Sequence, residues 1–148
     1  MKKQTILTGV AGEYFVAAEL SRRGYIASIT LRNTRGMDIL ATNQEGSRSI
    51  TIQCKTTQKS RKAWMLNEKC ENFSPAKHFY VFVTLGSVDE RPSYHIVPSR
   101  IVADHTKKEH SNWKRKLRRD GKKHGYSAVR IFSDPDDKFL ERWDKLGL

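Results

Sequence analysis

Ser49-Ile50-Thr51-Ile52-Gln53-Cys54-Lys55 alternates polar and apolar residues and reads as one half-buried strand. Strand side chains alternate between faces, so Ile50, Ile52 and Cys54 point one way and Thr51, Gln53 and Lys55 the other. Gln53 and Lys55 are then neighbours on one face, roughly 6.5 to 7 Å apart along the strand. One bound phosphate or metal–water cluster would touch both. Upstream, Gly36-Met37-Asp38-Ile39-Leu40 reads as a turn that opens a second strand. If that strand is the sheet neighbour, the Asp38 carboxylate joins the same face. An acid, an amide and a lysine on adjacent strands suit a hard divalent cation and a phosphate.

Residues 9 to 24 read as an amphipathic helix, with Thr8 as N-cap and Gly24 as its stop. Glu13, Val16, Ala17 and Leu20 fall at i, i+3, i+4 and i+7, the spacing of one buried stripe, so Glu13 faces inward. An acid near a helix start also complements the macrodipole. The small neighbours Gly9 and Gly12 and the stripe position favour the inward role.

In the order Glu13 on a helix, Gly36-Met37-Asp38 opening a strand and Gln53-Cys54-Lys55 ending another, the chain resembles the PD-(D/E)XK nucleases. It is similar to the archaeal Holliday-junction resolvases and the Mrr-type restriction endonucleases of that superfamily, and Ile52-Gln53-Cys54-Lys55 looks most like the Mrr branch. The resemblance covers residues 9 to 100. Phe79-Tyr80-Val81-Phe82-Val83 and Tyr94-His95-Ile96-Val97-Pro98-Ser99 look like segments of small bacterial proteins of the same superfamily. The resemblance implies an α/β, restriction-endonuclease-like core, a mixed sheet flanked by helices whose middle strands carry the site. It implies a DNA endonuclease that hydrolyses phosphodiester bonds with Mg²⁺ or Mn²⁺. Glu13, Asp38, Gln53 and Lys55 would be the catalytic set. Asp38, the Gln53 side-chain oxygen, the Cys54 main-chain carbonyl and Glu13 would hold the metal, while Lys55 would hold the attacking water and stabilise the phosphorane.

Gln53 departs from the acidic form of the motif. A glutamine keeps an oxygen ligand but removes one negative charge, which weakens divalent-ion affinity. Active branches of the superfamily carry Gln here, so catalysis is retained as the first reading. A non-catalytic nucleic-acid-binding or regulatory module is the alternative, and an RNA-processing enzyme is the third. A homodimer is one assembly the resemblance allows, and branched DNA one substrate.

Composition bounds these readings. The 148 residues suit a single domain, 1–148. Lys and Arg number 28 against 16 Asp and Glu, a formal net charge of +12, which favours a polyanionic partner. Residues 107 to 123 hold nine bases against two acids, an excess of seven and more than half the total. Little beyond Trp113 and Leu117 in that run would enter a membrane, so nucleic acid is the expected partner. Met1-Lys2-Lys3 is followed by polar Gln4 and Thr5, unlike a signal peptide, and a cytoplasmic location is expected. Cys54 reads as a small core residue, and neither cysteine has metal-ligand spacing with a histidine.

The remaining elements are expected as strands at 25–31, 37–42, 49–57, 78–85 and 93–97, a turn at 43–46, and a helix capped by Ser99 that runs to about Arg118. A short strand at 126–132 and a closing helix from Asp136 or Asp137 through Trp143 would follow. Lys59, Arg61 and Lys62 are expected to track a phosphate backbone, with Lys114, Arg115, Arg118 and Arg119. Trp64 either packs in the core, the preferred reading, or stacks on a base. Arg32, Asn33 and Arg35 lie in the loop before Asp38, where they grip flanking phosphates or form a polar turn.

Overall fold

The computed structural model describes residues 2–31, 35–58 and 61–148. Helix α1 spans Lys2–Arg22, so it starts well before the expected Thr8 cap. Lys2 to Leu7 contain neither Gly nor Pro, and their good helix formers extend the helix past the point where polarity suggested a start. Its other end is the expected one. Gly24 takes φ +85°, its N–H reaches the Ser21 carbonyl at 3.0 Å, and the Tyr25 N–H reaches the Leu20 carbonyl at 3.1 Å. These paired bonds close the last turn in a geometry that favours glycine.

Strands β1 (Ile26–Ile29), β2 (Ile39–Thr42), β3 (Ser49–Thr57), β5 (His78–Thr84) and β6 (Ser93–Pro98) form one mixed sheet in the order β1-β2-β3-β5-β6. Among the described strands of this sheet only β3 and β5 pair in parallel, Gln53 opposite Tyr80 and Lys55 opposite Phe82. Between them the chain forms β4 (Ala63–Asn67) and a short 3-10 helix, Glu68–Asn72. β4 pairs with β7 (Val129–Ser133) in a separate antiparallel ladder. Reading Trp64 as packing captures its burial but not the strand that carries it, because the partner strand lies far along the chain.

The two sheet faces are covered differently. Ile50, Ile52 and Cys54 of β3 and Phe79, Val81 and Val83 of β5 pack with Val16 and Leu20 of α1 and with Trp143 and Leu146. On the opposite face Tyr80 and Phe82 meet Trp64, Leu66, Cys70, Val102 and Phe132. β5 is therefore apolar almost throughout, as a strand covered on both faces must be. Trp64 is buried and donates its indole N–H to the Val83 carbonyl at 3.1 Å, which fits the packing role.

Helix α2 spans Ser99–Arg115. Pro98 occupies the N-cap position, and the Ser99 hydroxyl donates to the Pro75 carbonyl at 2.9 Å instead of capping the helix. The basic run leaves the helix at Lys116 and turns back, with the Arg118 N–H on the Lys122 carbonyl at 2.8 Å and Gly121 at φ +77°. Arg118 and Arg119 thus lie beyond the helix that was expected to carry them. The closing helix at 136–143 is absent. The buried Asp134 carboxylate accepts the Lys138 and Phe139 N–H groups at 3.0 and 2.9 Å, and Asp137 and Glu141 take positive φ. A side chain that captures these amides competes with helix formation, and only the 3-10 turn Trp143–Leu146 remains. Among the described residues no helix is long and apolar enough to cross a membrane.

Candidate active site

Asp38 sits where β2 and β3 part. Its main chain is fixed on both sides: the Thr30 N–H donates to its carbonyl at 2.9 Å, and its own N–H donates to the Ile52 carbonyl at 2.8 Å. Its carboxylate then accepts the Cys54 N–H at 2.7 Å, through Oδ2. Burial pushes the Asp38 carboxyl above its ordinary pKa, and the Cys54 amide and the Lys55 charge pull it back without cancelling that rise. A carboxylate held at a desolvation cost is a place where an added cation is stabilised.

Gln53 and Lys55 line a cleft of about 540 Å³, together with Arg35, Gly36, Lys69 and Tyr80. Gly36 turns the chain over the Gln53 amide at φ +68°, and a Cβ built there would stand 4.0 Å from Gln53 Oε1. Tyr80 is buried, which pushes its hydroxyl pKa up, as do nearby Cys70 and Asp38, so the phenol stays protonated. Lys69 and Tyr80 escaped the sequence reading. Tyr80 is found only through the β3–β5 register, and Lys69 only through the 3-10 helix that turns it into the cleft.

Glu13 comes from α1. Helix α1 packs on the Ile52 and Cys54 face, whereas Gln53 and Lys55 line the cleft on the other. The helix that carries Glu13 therefore lies on the opposite face from the cleft. What the charged groups share is proximity to Cys54. Burial raises this thiol well above its ordinary pKa, Asp38 and then Glu13 raise it further, and Lys55 opposes them. The approach of α1 depends on Gly12, where an added Cβ would meet Thr56 Oγ1 at 1.8 Å. Asp38, Gln53 and Lys55 therefore gather around Cys54, and Glu13 approaches the same residue from α1.

These donors fit a hard cation. The Asp38 and Glu13 carboxylates, the Gln53 amide oxygen and the Cys54 carbonyl are oxygen ligands of the kind Mg²⁺ and Mn²⁺ take. Among the described residues, however, no three Asp, Glu, His or Cys side chains cluster as a metal-holding group.

The expected phosphate-binding residues are distributed unevenly. Arg35 is exposed at the cleft. Arg61, Lys114, Arg115 and Arg119 are exposed, and Arg118 is ion-paired with Asp120 at 3.2 Å. Lys62 is paired with Asp137. Arg32, Asn33 and Lys59 lie outside the described residues.

No protein-family model matches the chain, and no curated protein matches it by sequence. Solved structures do. A bacterial homing endonuclease, I-Ssp6803I, matches over 95% of this chain and 88% of its own, at 13% identity and a TM-score of 0.53. Hjc, a Holliday junction resolvase from Archaeoglobus fulgidus, matches over 85% and 84%, at 13% identity and a TM-score of 0.47. The five-stranded mixed sheet flanked by two helices is a restriction-endonuclease-like fold.

Proposed function

We propose that this protein is a divalent-metal-dependent DNA endonuclease. The observation that carries the reading is the Asp38–Cys54 hydrogen bond at 2.7 Å, which fixes a half-buried carboxylate beside Lys55 and the Gln53 cleft. Asp38, the Gln53 amide oxygen and the Cys54 carbonyl would hold Mg²⁺ or Mn²⁺, and the Glu13 carboxylate would bind the same ion, a second ion or a metal-bound water. When bound, such an ion supplies Lewis-acid neutralisation of phosphate charge and a more acidic water. The protein's own part is positional. The Cys54 amide and the Thr30 contacts keep Asp38 in one place. The Lys55 ammonium meets the charge that develops on the phosphorane, stabilising the transition state more than the ground state. Arg35 and Lys69 at the cleft take the phosphates that flank the cut.

The absence of a three-acid cluster among the described residues, together with Gln53, favours a second reading, a non-catalytic nucleic-acid-binding module of the same fold. Nicking of plasmid or branched DNA by the purified protein separates the two. Cleavage is expected to need Mg²⁺ or Mn²⁺ and to vanish in Asp38→Ala and Lys55→Ala while DNA binding persists. A wild type that binds DNA yet cuts no duplex, single-stranded or branched DNA, and no RNA, establishes the binding module instead.

A further inference from the structure

The last turns of α2 and the outer face of β7 enclose a second cavity, of about 310 Å³, at the small end of the roughly 300 to 1,000 Å³ usual for ligand clefts. Its wall includes His110, Trp113, Ser127, Val129, Arg130 and Ile131. Trp113 is 36% exposed, whereas Trp64 and Trp143 are 3% and 4% exposed in the core. Its indole is braced instead by two imidazoles: the His110 ring centroid lies 5.3 Å away at an interplanar angle of 24°, and that of His124, outside the cavity wall, 4.0 Å away at 31°. Val129 and Ile131 alternate with the buried Arg130 and Phe132, so they point outward and give the cavity an exposed apolar floor. Burial and the charges of Arg130 and Lys114 hold the His110 pKa below its usual value, so the ring is neutral at pH 7 and offers stacking rather than charge.

The sequence around this aromatic slot is predominantly basic, although Glu109 stands in its wall and Glu68 and Glu71 lie near His110. All nine bases between Lys107 and Lys123 are exposed, from the last turns of α2 through the turn that follows it. An aromatic and apolar recess inside a basic field matches a planar group borne on a polyanion. We propose that this cavity receives one unpaired base of a nucleic-acid strand, stacked on Trp113, so that the protein prefers single-stranded or distorted segments to continuous duplex. The proposal rests on the nuclease reading and extends it to substrate choice. Bases within a duplex are already stacked on their neighbours, and bringing one into a side slot costs roughly a few kcal/mol of unstacking. The slot also adjoins the catalytic cleft. Arg130 in its wall is ion-paired with Glu71 and, at 3.9 Å, with Glu68 of the 3-10 helix Glu68–Asn72, and Lys69 and Cys70 of that helix line the cleft of Gln53 and Lys55.

The test titrates the full chain, in EDTA and at fixed salt, with an oligothymidylate and with a hairpin duplex of matched charge, reading tryptophan emission and affinity. Wild type is expected to show quenching with the single strand. Trp113→Ala is expected to lose roughly 5- to 150-fold in single-strand affinity, the equivalent of about 1–3 kcal/mol of base stacking. Its duplex affinity stays unchanged, and Trp113→Phe recovers most of the loss. Equal losses on both ligands, or no loss on either, overturn the slot. So does a Trp113 response to vesicles of mixed phosphatidylserine and phosphatidylcholine with none to the oligonucleotide, which would assign the patch to a lipid surface. If wild type binds no nucleic acid at all, the nuclease reading falls as well. If wild type binds and Trp113→Ala is indifferent, only the slot falls.

Discussion

Gly12→Ala is the sharpest probe of how α1 is seated, because two physical arguments give it opposite signs. An alanine in a helix interior is worth about 0.8–1.0 kcal/mol over glycine, so propensity alone predicts a more stable protein. The structure predicts the reverse. An added Cβ would lie 1.8 Å from Thr56 Oγ1 and 2.9 Å from both Thr56 Cβ and Cγ2. Rotating the threonine moves its hydroxyl and methyl but leaves Cβ where it is, inside contact distance, so helix or strand must shift. Such overpacking costs typically about 1–3 kcal/mol and occasionally more. Here the shift also loosens Val16 and Leu20 from Ile52 and Cys54. The 1.8 Å contact puts the overpacking at the upper end of that range, about 3 kcal/mol, so after subtracting the propensity gain we expect a net loss of about 2 kcal/mol. At roughly 2–4 °C per kcal/mol for a chain of this size, the thermal midpoint falls by about 4–8 °C. Thr56→Ala on its own is expected to cost little, since the hydroxyl it removes is buried without a hydrogen-bond partner. The double variant should recover only part of the loss, because Thr56→Ala keeps the Cβ that lies 2.9 Å from the new one. Urea denaturation followed by circular dichroism reads all four proteins, and a Gly12→Ala variant as stable as wild type or more so refutes the close approach of α1 to β3.

Asp38→Asn is expected to raise the metal-free thermal midpoint at pH 7. A carboxyl whose folded pKa is raised is less stable charged in the fold than in the unfolded chain, and the amide removes that penalty. Saturating Mn²⁺ should reverse the order, adding about 2.7 kcal/mol to wild type at a hundredfold excess over Kd and nothing to the variant. His78 is buried and its pKa lowered from 6.5 to about 4, so the unfolded chain binds its proton first. Stability should therefore be lost as pH falls from 6.5 toward 4, and His78→Gln should flatten that part of the midpoint-against-pH curve. Reversing Lys114, Arg115, Arg118 and Arg119 to Glu should weaken binding to unrelated DNA sequences by similar factors. It should also cut the slope of log K against log salt by up to about 3.6, at roughly 0.9 per phosphate contact, and an unchanged slope places the interface elsewhere.

What the sequence made legible was local. The alternation of Ser49 to Lys55 set the faces of β3, and Gly24 set the end of α1, because each depends on a few adjacent residues. What it missed depended on distant partners. The β4–β7 ladder joins Trp64 to Phe132, and no period within either segment announces the other. Asp134 captures the amides of Lys138 and Phe139 while bonded to the buried His95 at 2.8 Å, a tertiary contact that overrides the helical pattern after it. The site divides the same way. Asp38, Gln53 and Lys55 follow from one strand pair, whereas the position of Glu13 depends on which face α1 covers. Its inward stripe could not choose between the two faces.

The central claim is that Asp38 and the Gln53 strand hold a divalent ion. Crystals of the wild-type protein soaked in Mn²⁺ and measured at the manganese edge test it directly. The account predicts one anomalous peak bonded to an Asp38 carboxylate oxygen, with Gln53 Oε1 and the Cys54 carbonyl oxygen among its ligands at roughly 2.0–2.6 Å. It also predicts no peak in Asp38→Ala. A wild-type map with no manganese at Asp38, or with the same peak retained in Asp38→Ala, contradicts it.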